Sequence, residues 1–147
     1  MKSMQLLAAS TIVAGFLASP ATAESTLRSV HFAPGQSSAT LDGAIVRGDS
    51  DLWSFAANAG QTADIKVTST EDNASFTIYQ PPASVTHGDD GLDVSGTVLP
   101  GGEPTDPPLD PGAQKHWKGK LPATGAYYIE VAGDRGNATY TLTIAIE

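Results

Sequence analysis

The sequence contains no cysteine. Disulfide bonds, thiolate metal sites and cysteine nucleophiles are therefore excluded, and any metal would have to be held by oxygen or imidazole ligands. No residue pattern points to an organic cofactor. We expect a protein that works without a cofactor.

Positive charge is also scarce, since 8 Lys and Arg stand against 16 Asp and Glu and give a formal net charge of -8. Nucleic acids and anionic membrane surfaces attract proteins of the opposite sign. We therefore expect neither as a partner. A cationic macromolecule is the more suitable partner for this chain.

No apolar run approaches the roughly 20 residues that a membrane-spanning helix needs. The one at residues 6–18 follows Lys2 and precedes Ala21-Thr22-Ala23, which is typical of a signal peptide with a small-residue cleavage site. This pattern predicts that residues 1–23 are removed and that residues 24–147 form one exported domain. We expect that domain to be free of the membrane, in the periplasm or outside the cell.

Apolar residues recur with a period of two in short runs separated by turn residues, and helical stripes are absent. This pattern predicts strands at residues 51–57, 62–70, 74–79, 127–131 and 140–146, and weaker strands at 27–32, 39–46 and 116–121. Each strand has one polar face, as in an antiparallel sheet with one side in water. The predicted fold is all-β, an antiparallel β-sandwich of about eight strands.

Residues 80–115 break this periodicity, because proline alternates there with glycine and aspartate. Proline cannot donate a hydrogen bond to a strand ladder. We therefore expect a long surface excursion with at most a brief edge strand at 93–98.

Catalytic motifs are weak. Gly48-Asp49-Ser50 is similar to the Gly-Asp-Ser box of serine esterases, but no histidine has the spacing that would supply the base of a triad. A β-turn in which Asp49 and Ser50 bond to the local backbone explains the same residues. The three histidines are isolated and lack metal-ligand spacing. We expect a protein that is not an enzyme.

Two other groups of residues permit a ligand. Asp89, Asp90 and Asp93 lie among glycines and are weak candidates for binding Ca²⁺, although the spacing is not that of an EF-hand and a solvated acidic loop explains them equally. Trp53 and Trp117 could stack on a sugar ring. Because both lie in predicted strands at alternating positions, core packing is the favoured interpretation.

Several segments together resemble the periplasmic inhibitors of g-type and i-type lysozymes. They are residues 30–40 (Val-His-Phe-Ala-Pro-Gly-Gln-Ser-Ser-Ala-Thr), Gly43-Ala44-Ile45, Ala59-Gly60-Gln61-Thr62 and residues 121–127 (Leu-Pro-Ala-Thr-Gly-Ala-Tyr). The resemblance covers nearly all of residues 24–147 except the excursion at 80–115. The related bacterial pre-peptidase C-terminal domains share the β-sandwich pattern without being inhibitors.

The resemblance implies that residues 124–127 occupy the place of the family's Ser-Gly-x-Tyr inhibitory motif, with Thr124 in place of serine. It implies that the Thr124 hydroxyl and the bare Gly125 enter the lysozyme cleft near its catalytic carboxyl region. Independently of the resemblance, Tyr127 shares a face with Ile129 and Val131, so we expect a core residue that braces the turn, with its hydroxyl bonded to the loop backbone. Arg135 falls where the family carries an arginine and is a candidate for a further contact. The alternative is that Thr124 and Gly125 form only a turn.

The resulting hypothesis is a periplasmic inhibitor that blocks a cationic lysozyme of the g type, or of the i type, by inserting loops into its active-site cleft. The alternative is a secreted, non-inhibitory β-sandwich that binds cell-wall glycan or a protein partner, with Ca²⁺ as a candidate ligand.

Overall fold

The computed structural model describes residues 25–89, 91–104 and 112–147, so the predicted signal peptide at 1–23 and Asp90 lie outside the described residues. The described residues form ten strands, named in chain order: β1 (Leu27–Ser29), β2 (Ser38–Ile45), β3 (Ser50–Ala57), β4 (Thr62–Ser69), β5 (Ala74–Gly88), β6 (Gly91–Val98), β7 (Glu103–Pro104), β8 (Gln114–Lys120), β9 (Gly125–Gly133) and β10 (Ala138–Ile146). In these ranges there is no helix long and apolar enough to cross a membrane.

All ten strands belong to one hydrogen-bonded sheet of order β1-β3-β9-β5-β8-β4-β10-β2, with β6 beside β5 and β7 beside β8. The two halves of this sheet are joined where Phe76 on β5 pairs with Gln114 on β8. The first pair, β1 with β3, is parallel, and the other pairs are antiparallel.

The all-β prediction is confirmed, but the sandwich is not. The strands form a curled, mixed half-barrel sheet rather than an antiparallel sandwich. Sequence periodicity identifies which face of each strand is buried, and a sheet that curls over itself satisfies this pattern as well as two stacked sheets do.

The core lies inside the curl and joins both halves of the sheet. Trp53 on β3 donates its indole N–H to the hydroxyl of Tyr140 on β10 (2.8 Å), and that hydroxyl donates to Asp51 Oδ2 (2.6 Å). Trp53 and Trp117 are 7% and 4% exposed. Their predicted role in core packing is therefore confirmed, and neither ring is available to stack on a sugar. The Tyr140 ring lies directly against Gly43, where a Cβ atom would collide with it.

The edge strand predicted at 93–98 is present as β6, but the surface excursion predicted from residue 80 onward is wrong for residues 80–88. Instead of ending at Tyr79, β5 continues to Gly88 and forms a long hairpin with β6. Pro81 and Pro82 fall between Gln80 and Ser84, where the register of the two strands shifts. A bulge of this kind leaves a residue out of the ladder, so proline is tolerated there.

Candidate functional site

The predicted inhibitory motif lies at one end of the sheet, where β8 turns into β9. Thr124 is exposed at this turn, and Gly125 begins β9. Gly125 has a φ of 148°, which favours glycine, and a Cβ atom there would approach Pro81 Cβ to 3.0 Å. A side chain at position 125 would therefore strain the backbone and press on the base of the β5–β6 hairpin.

Tyr127 supports the turn from the core side. Its ring is fully buried and stacks on Phe55, with 5.3 Å between the ring centroids. Its hydroxyl donates to the carbonyl oxygen of Ala123 (2.6 Å) and accepts from the Ala123 N–H (3.1 Å). The prediction of a core residue whose hydroxyl bonds to the loop backbone is confirmed. That hydroxyl has its partners within the chain.

The turn between β3 and β4 is hydrogen-bonded to the turn between β8 and β9. The sequence alone does not predict this contact. The Ala59 N–H, in the turn between β3 and β4, donates to Thr124 Oγ1 (2.9 Å). The backbones pair as well, since Gly60 N donates to Leu121 O (2.8 Å) and Leu121 N donates to Gln61 O (2.8 Å). The Asn-Ala-Gly turn signal was visible at residues 58–60, but its partner lies more than 60 positions further along the chain.

The Thr124 hydroxyl therefore already takes part in one hydrogen bond within the chain. It accepts from Ala59 through one lone pair, and a hydroxyl still has a proton to donate. Among the described residues no acceptor takes that proton, and the side chain is exposed. The bond from Ala59 fixes the oxygen and leaves the proton for a partner.

The two loops enclose a notch of about 220 Å³ beside the hydroxyl. Its walls are Ala56, Ala57, Asn58, Gln61, Thr124 and Gly125. The Gln61 side chain is held in place because its Oε1 accepts from the Asn58 N–H (2.7 Å). None of the wall residues carries a charge. This surface can recognise a partner by shape and by neutral hydrogen-bonding groups.

Arg135 lies at the other end of β9. Its Nη2 donates to the carbonyl oxygen of Glu71 (3.1 Å), in the turn between β4 and β5. The nine residues of β9 separate Arg135 from Thr124, a span of about 26 Å at 3.3 Å per residue. The structure therefore does not bring Arg135 and Thr124 together.

Gly48 and Asp49 belong to a β-turn over residues 46–49, in which Asp49 N donates to Val46 O (3.0 Å), and Ser50 begins β3. Ser50 does not bond to the local backbone as expected. Its hydroxyl donates instead to Glu130 Oε1 (3.0 Å). The acceptor is a carboxylate on the neighbouring strand rather than an imidazole, so this serine has no base of the esterase kind.

Two of the three calcium candidates lie at the end of the β5–β6 hairpin. Asp89 and Asp93 are exposed there, and Asp90 lies outside the described residues. Within residues 25–89, 91–104 and 112–147 no three His, Asp or Glu side chains are grouped so that they could hold a metal ion.

No protein-family model matches the chain, and a search of curated proteins found no match. Solved structures do match. Aeromonas hydrophila PliG, a periplasmic lysozyme inhibitor of g-type lysozyme, is 27% identical, with 84% of this chain and 98% of that chain covered and a TM-score of 0.60.

Two further PliG structures are similar at a TM-score of 0.53 and 22% identity. The Salmonella Typhimurium protein covers 86% of this chain and 100% of its own, and an Escherichia coli mutant covers 84% and 99%. At this identity they show the fold alone. The resemblance drawn from the sequence is confirmed, since periplasmic inhibitors of g-type lysozyme share the fold over most of the chain.

Proposed function

We propose that this protein is a periplasmic inhibitor of g-type lysozyme. The observation that carries the proposal is the match to the Aeromonas hydrophila inhibitor at 27% identity over 98% of that chain. In this proposal residues 1–23 are a signal peptide, and the exported protein begins at Glu24. The protein binds a lysozyme and performs no reaction of its own.

We assign the contact to the end of the sheet that carries Thr124 and Gly125. The turn enters the active-site cleft, and the Thr124 hydroxyl donates its proton to a carboxylate there. A hydrogen bond to a charged group contributes about 1.5 to 3 kcal/mol. Gly125 adds no bulk beside the hydroxyl, so the backbone itself can approach the cleft wall.

The attachments of the turn support this assignment. Tyr127 and the β3–β4 turn hold it at Ala123, Leu121 and Thr124 in the free protein. A loop that is ordered before binding loses little conformational entropy when it binds. The bond from Ala59 also orients the Thr124 oxygen, which is why threonine can replace the serine of the related motif.

Inhibition assays against c-type, g-type and i-type lysozymes test the proposal. The parent should inhibit the g-type enzyme, and the result with the i-type enzyme defines the breadth of the partner class. Thr124→Ala should raise the inhibition constant about 10-fold or more, because a charge-assisted hydrogen bond is lost. Thr124→Ser should retain most of the inhibition.

Thr139→Ala is the matched control, because it makes the same change at an exposed position on the opposite end of the sheet. It should inhibit like the parent. Equal inhibition by Thr124→Ala and the parent would remove the hydroxyl from the mechanism. No inhibition of any lysozyme at micromolar concentration, with retention on peptidoglycan, would instead support a glycan-binding module.

Arg135→Ala decides which end of the sheet meets the lysozyme. Because the span from Thr124 is about 26 Å, we expect inhibition to change less than about twofold. A large loss with Arg135→Ala and none with Thr124→Ala would move the site to the β9–β10 turn.

A further inference from the structure

One long edge of the sheet has no neighbouring strand among the described residues. Strand β2 lies at the end of the strand order and pairs only with β10 among the described strands. The other edges are short or irregular. β1 has three residues, β7 has two and includes a proline, and the β6 pairing contains a register shift. In the described part of the sheet, β2 is the regular edge.

Strand β2 lacks the devices that keep edge strands apart. Its sequence, Ser-Ala-Thr-Leu-Asp-Gly-Ala-Ile, contains no lysine, arginine or proline, and its pairing with β10 runs through eight residues without a bulge. Natural sheets usually place lysine, proline or a bulge on such an edge, because an unprotected edge is a template for another strand.

The two faces of β2 suit a second copy. Ala39 and Leu41 on the inner face pack against the core but stay partly exposed. A neighbouring strand would cover them further. On the outer face Ser38, Thr40 and Asp42 are exposed, and Asp42 carries the one charge of the strand.

We propose that two copies of this protein associate through β2, which pairs antiparallel with itself about a two-fold axis at Leu41. A two-fold axis perpendicular to the sheet pairs odd-numbered residues with odd-numbered ones and even-numbered residues with even-numbered ones. The two side chains of each pair therefore lie on the same face of the sheet. With Leu41 on the axis, Asp42 lies opposite the partner subunit's Thr40. With Asp42 on the axis, two carboxylates would face each other, which is unfavourable.

The chemistry of the proposed pair already occurs within the chain. Thr141 Oγ1 on β10 donates to Asp42 Oδ1 (2.7 Å). The second carboxylate oxygen can accept from Thr40 of the partner subunit. The pairing therefore gives the one charged residue of β2 a hydrogen-bond donor on each side.

The orientation has a consequence for binding. Antiparallel pairing of β2 points the two Thr124 ends in opposite directions along the strands. Each end remains open, so the dimer would carry two independent partner surfaces. The dimer itself does not depend on the proposed lysozyme inhibition, and either can fail alone.

Sedimentation equilibrium of the exported form over a concentration series, up to about 1 mM, tests the dimer. Thr40→Asp places one carboxylate opposite Asp42 at each of the two symmetric positions and should weaken the dimer about 10-fold. Thr40→Lys places opposite charges there and should keep or tighten it. Both changes are at an exposed side chain. A monomer throughout, or equal effects of the two variants, would overturn the proposal.

A cross-linking test uses the absence of native cysteine. Leu41→Cys places one thiol of each copy next to the proposed axis. The two Cα atoms would be about 5 Å apart across the paired strands. This separation lies within the 4.4 to 6.8 Å that a disulfide typically spans. Mild oxidation should produce a covalent dimer. Ser95→Cys, on the exposed face of β6, should remain monomeric. Equal cross-linking of both variants, or none of either, would contradict the pairing.

Discussion

Replacing Tyr127 by phenylalanine removes one oxygen atom and leaves the rest of the core in place. The ring would keep its stacking on Phe55 and its full burial. The hydroxyl that donates to Ala123 O at 2.6 Å and accepts from Ala123 N at 3.1 Å would be lost. The substitution therefore releases the turn that carries Thr124 without opening a cavity beneath it.

The size of the effect follows from these two bonds. Each contributes a net 0.5 to 1.5 kcal/mol, so the free energy of unfolding should fall by about 1 to 3 kcal/mol. Ala123 is partly exposed, so water can replace part of the loss and the lower half of this range applies. For a domain of this size the melting temperature should fall by roughly 3 to 10 °C.

Comparison with Tyr127→Ala separates the contribution of the Tyr127 hydroxyl from that of its ring. It removes the ring as well, and truncation of a buried aromatic residue costs about 3 to 5 kcal/mol. Its melting temperature should therefore fall well below that of Tyr127→Phe. Urea unfolding of the parent and both variants measures the three free energies in one series.

Inhibition by Tyr127→Phe should be measured at a temperature where it is fully folded. We expect weaker inhibition, because the released turn must be ordered again on binding. If Tyr127→Phe unfolds at the same urea concentration as the parent, the bonds between the Tyr127 hydroxyl and Ala123 contribute nothing to stability and this reasoning is wrong.

Three further predictions concern stability. Gly43→Ala should cost about 1 to 3 kcal/mol in urea unfolding, because its methyl group would collide with the Tyr140 ring. Burial and the adjacent Glu130 raise the pKa of Tyr79 from 10.0 to about 12. The folded protein thus binds this proton more tightly, stability should fall between about pH 10 and 12, and Tyr79→Phe should reduce that slope. Hydrogen bonds from His116 and Lys118 lower the pKa of Asp64. Their stabilisation should therefore be lost as pH falls below about 4, and Asp64→Asn should reduce this acid sensitivity in pH-dependent thermal melts.

The strands were predictable from the sequence because each buries one face. Period-two patterns placed all eight predicted strands, but their lengths differ in the structure: the strand predicted at 27–32 ends at Ser29, the one at 127–131 spans Gly125–Gly133, and the one at 74–79 continues to Gly88. The continuation of β5 from residue 80 to Gly88 was missed because its residues alternate only between half-buried and exposed, and Pro81 suggested an ending. A register shift absorbs the prolines there, and sequence periodicity carries no signal for such a shift.

The candidate site also has features that the sequence predicts and features that it does not. Tyr127 was predictable as a core residue from its parity with Ile129 and Val131, and its hydroxyl contact follows from the short distance to Ala123 along the chain. The bond between Thr124 and Ala59 was not predictable, because it depends on how two distant turns meet. The position of Arg135 depends on the length of β9, which the sequence placed at five residues and the structure at nine.

Net charge acts in opposite directions on the two proposed associations. Two copies at a formal charge of -8 repel each other, so salt should strengthen β2 pairing by screening that repulsion. A cationic lysozyme is attracted by the same charge, so salt should slow its association. The notch beside Thr124 has uncharged walls, and contacts formed there should leave the dissociation rate nearly unchanged. A salt series thus separates the two complexes: the dimer tightens while the association rate with lysozyme falls. A dimer that weakens with salt would contradict the repulsion between copies, and a lysozyme dissociation rate that rises with salt would contradict the uncharged notch as the contact.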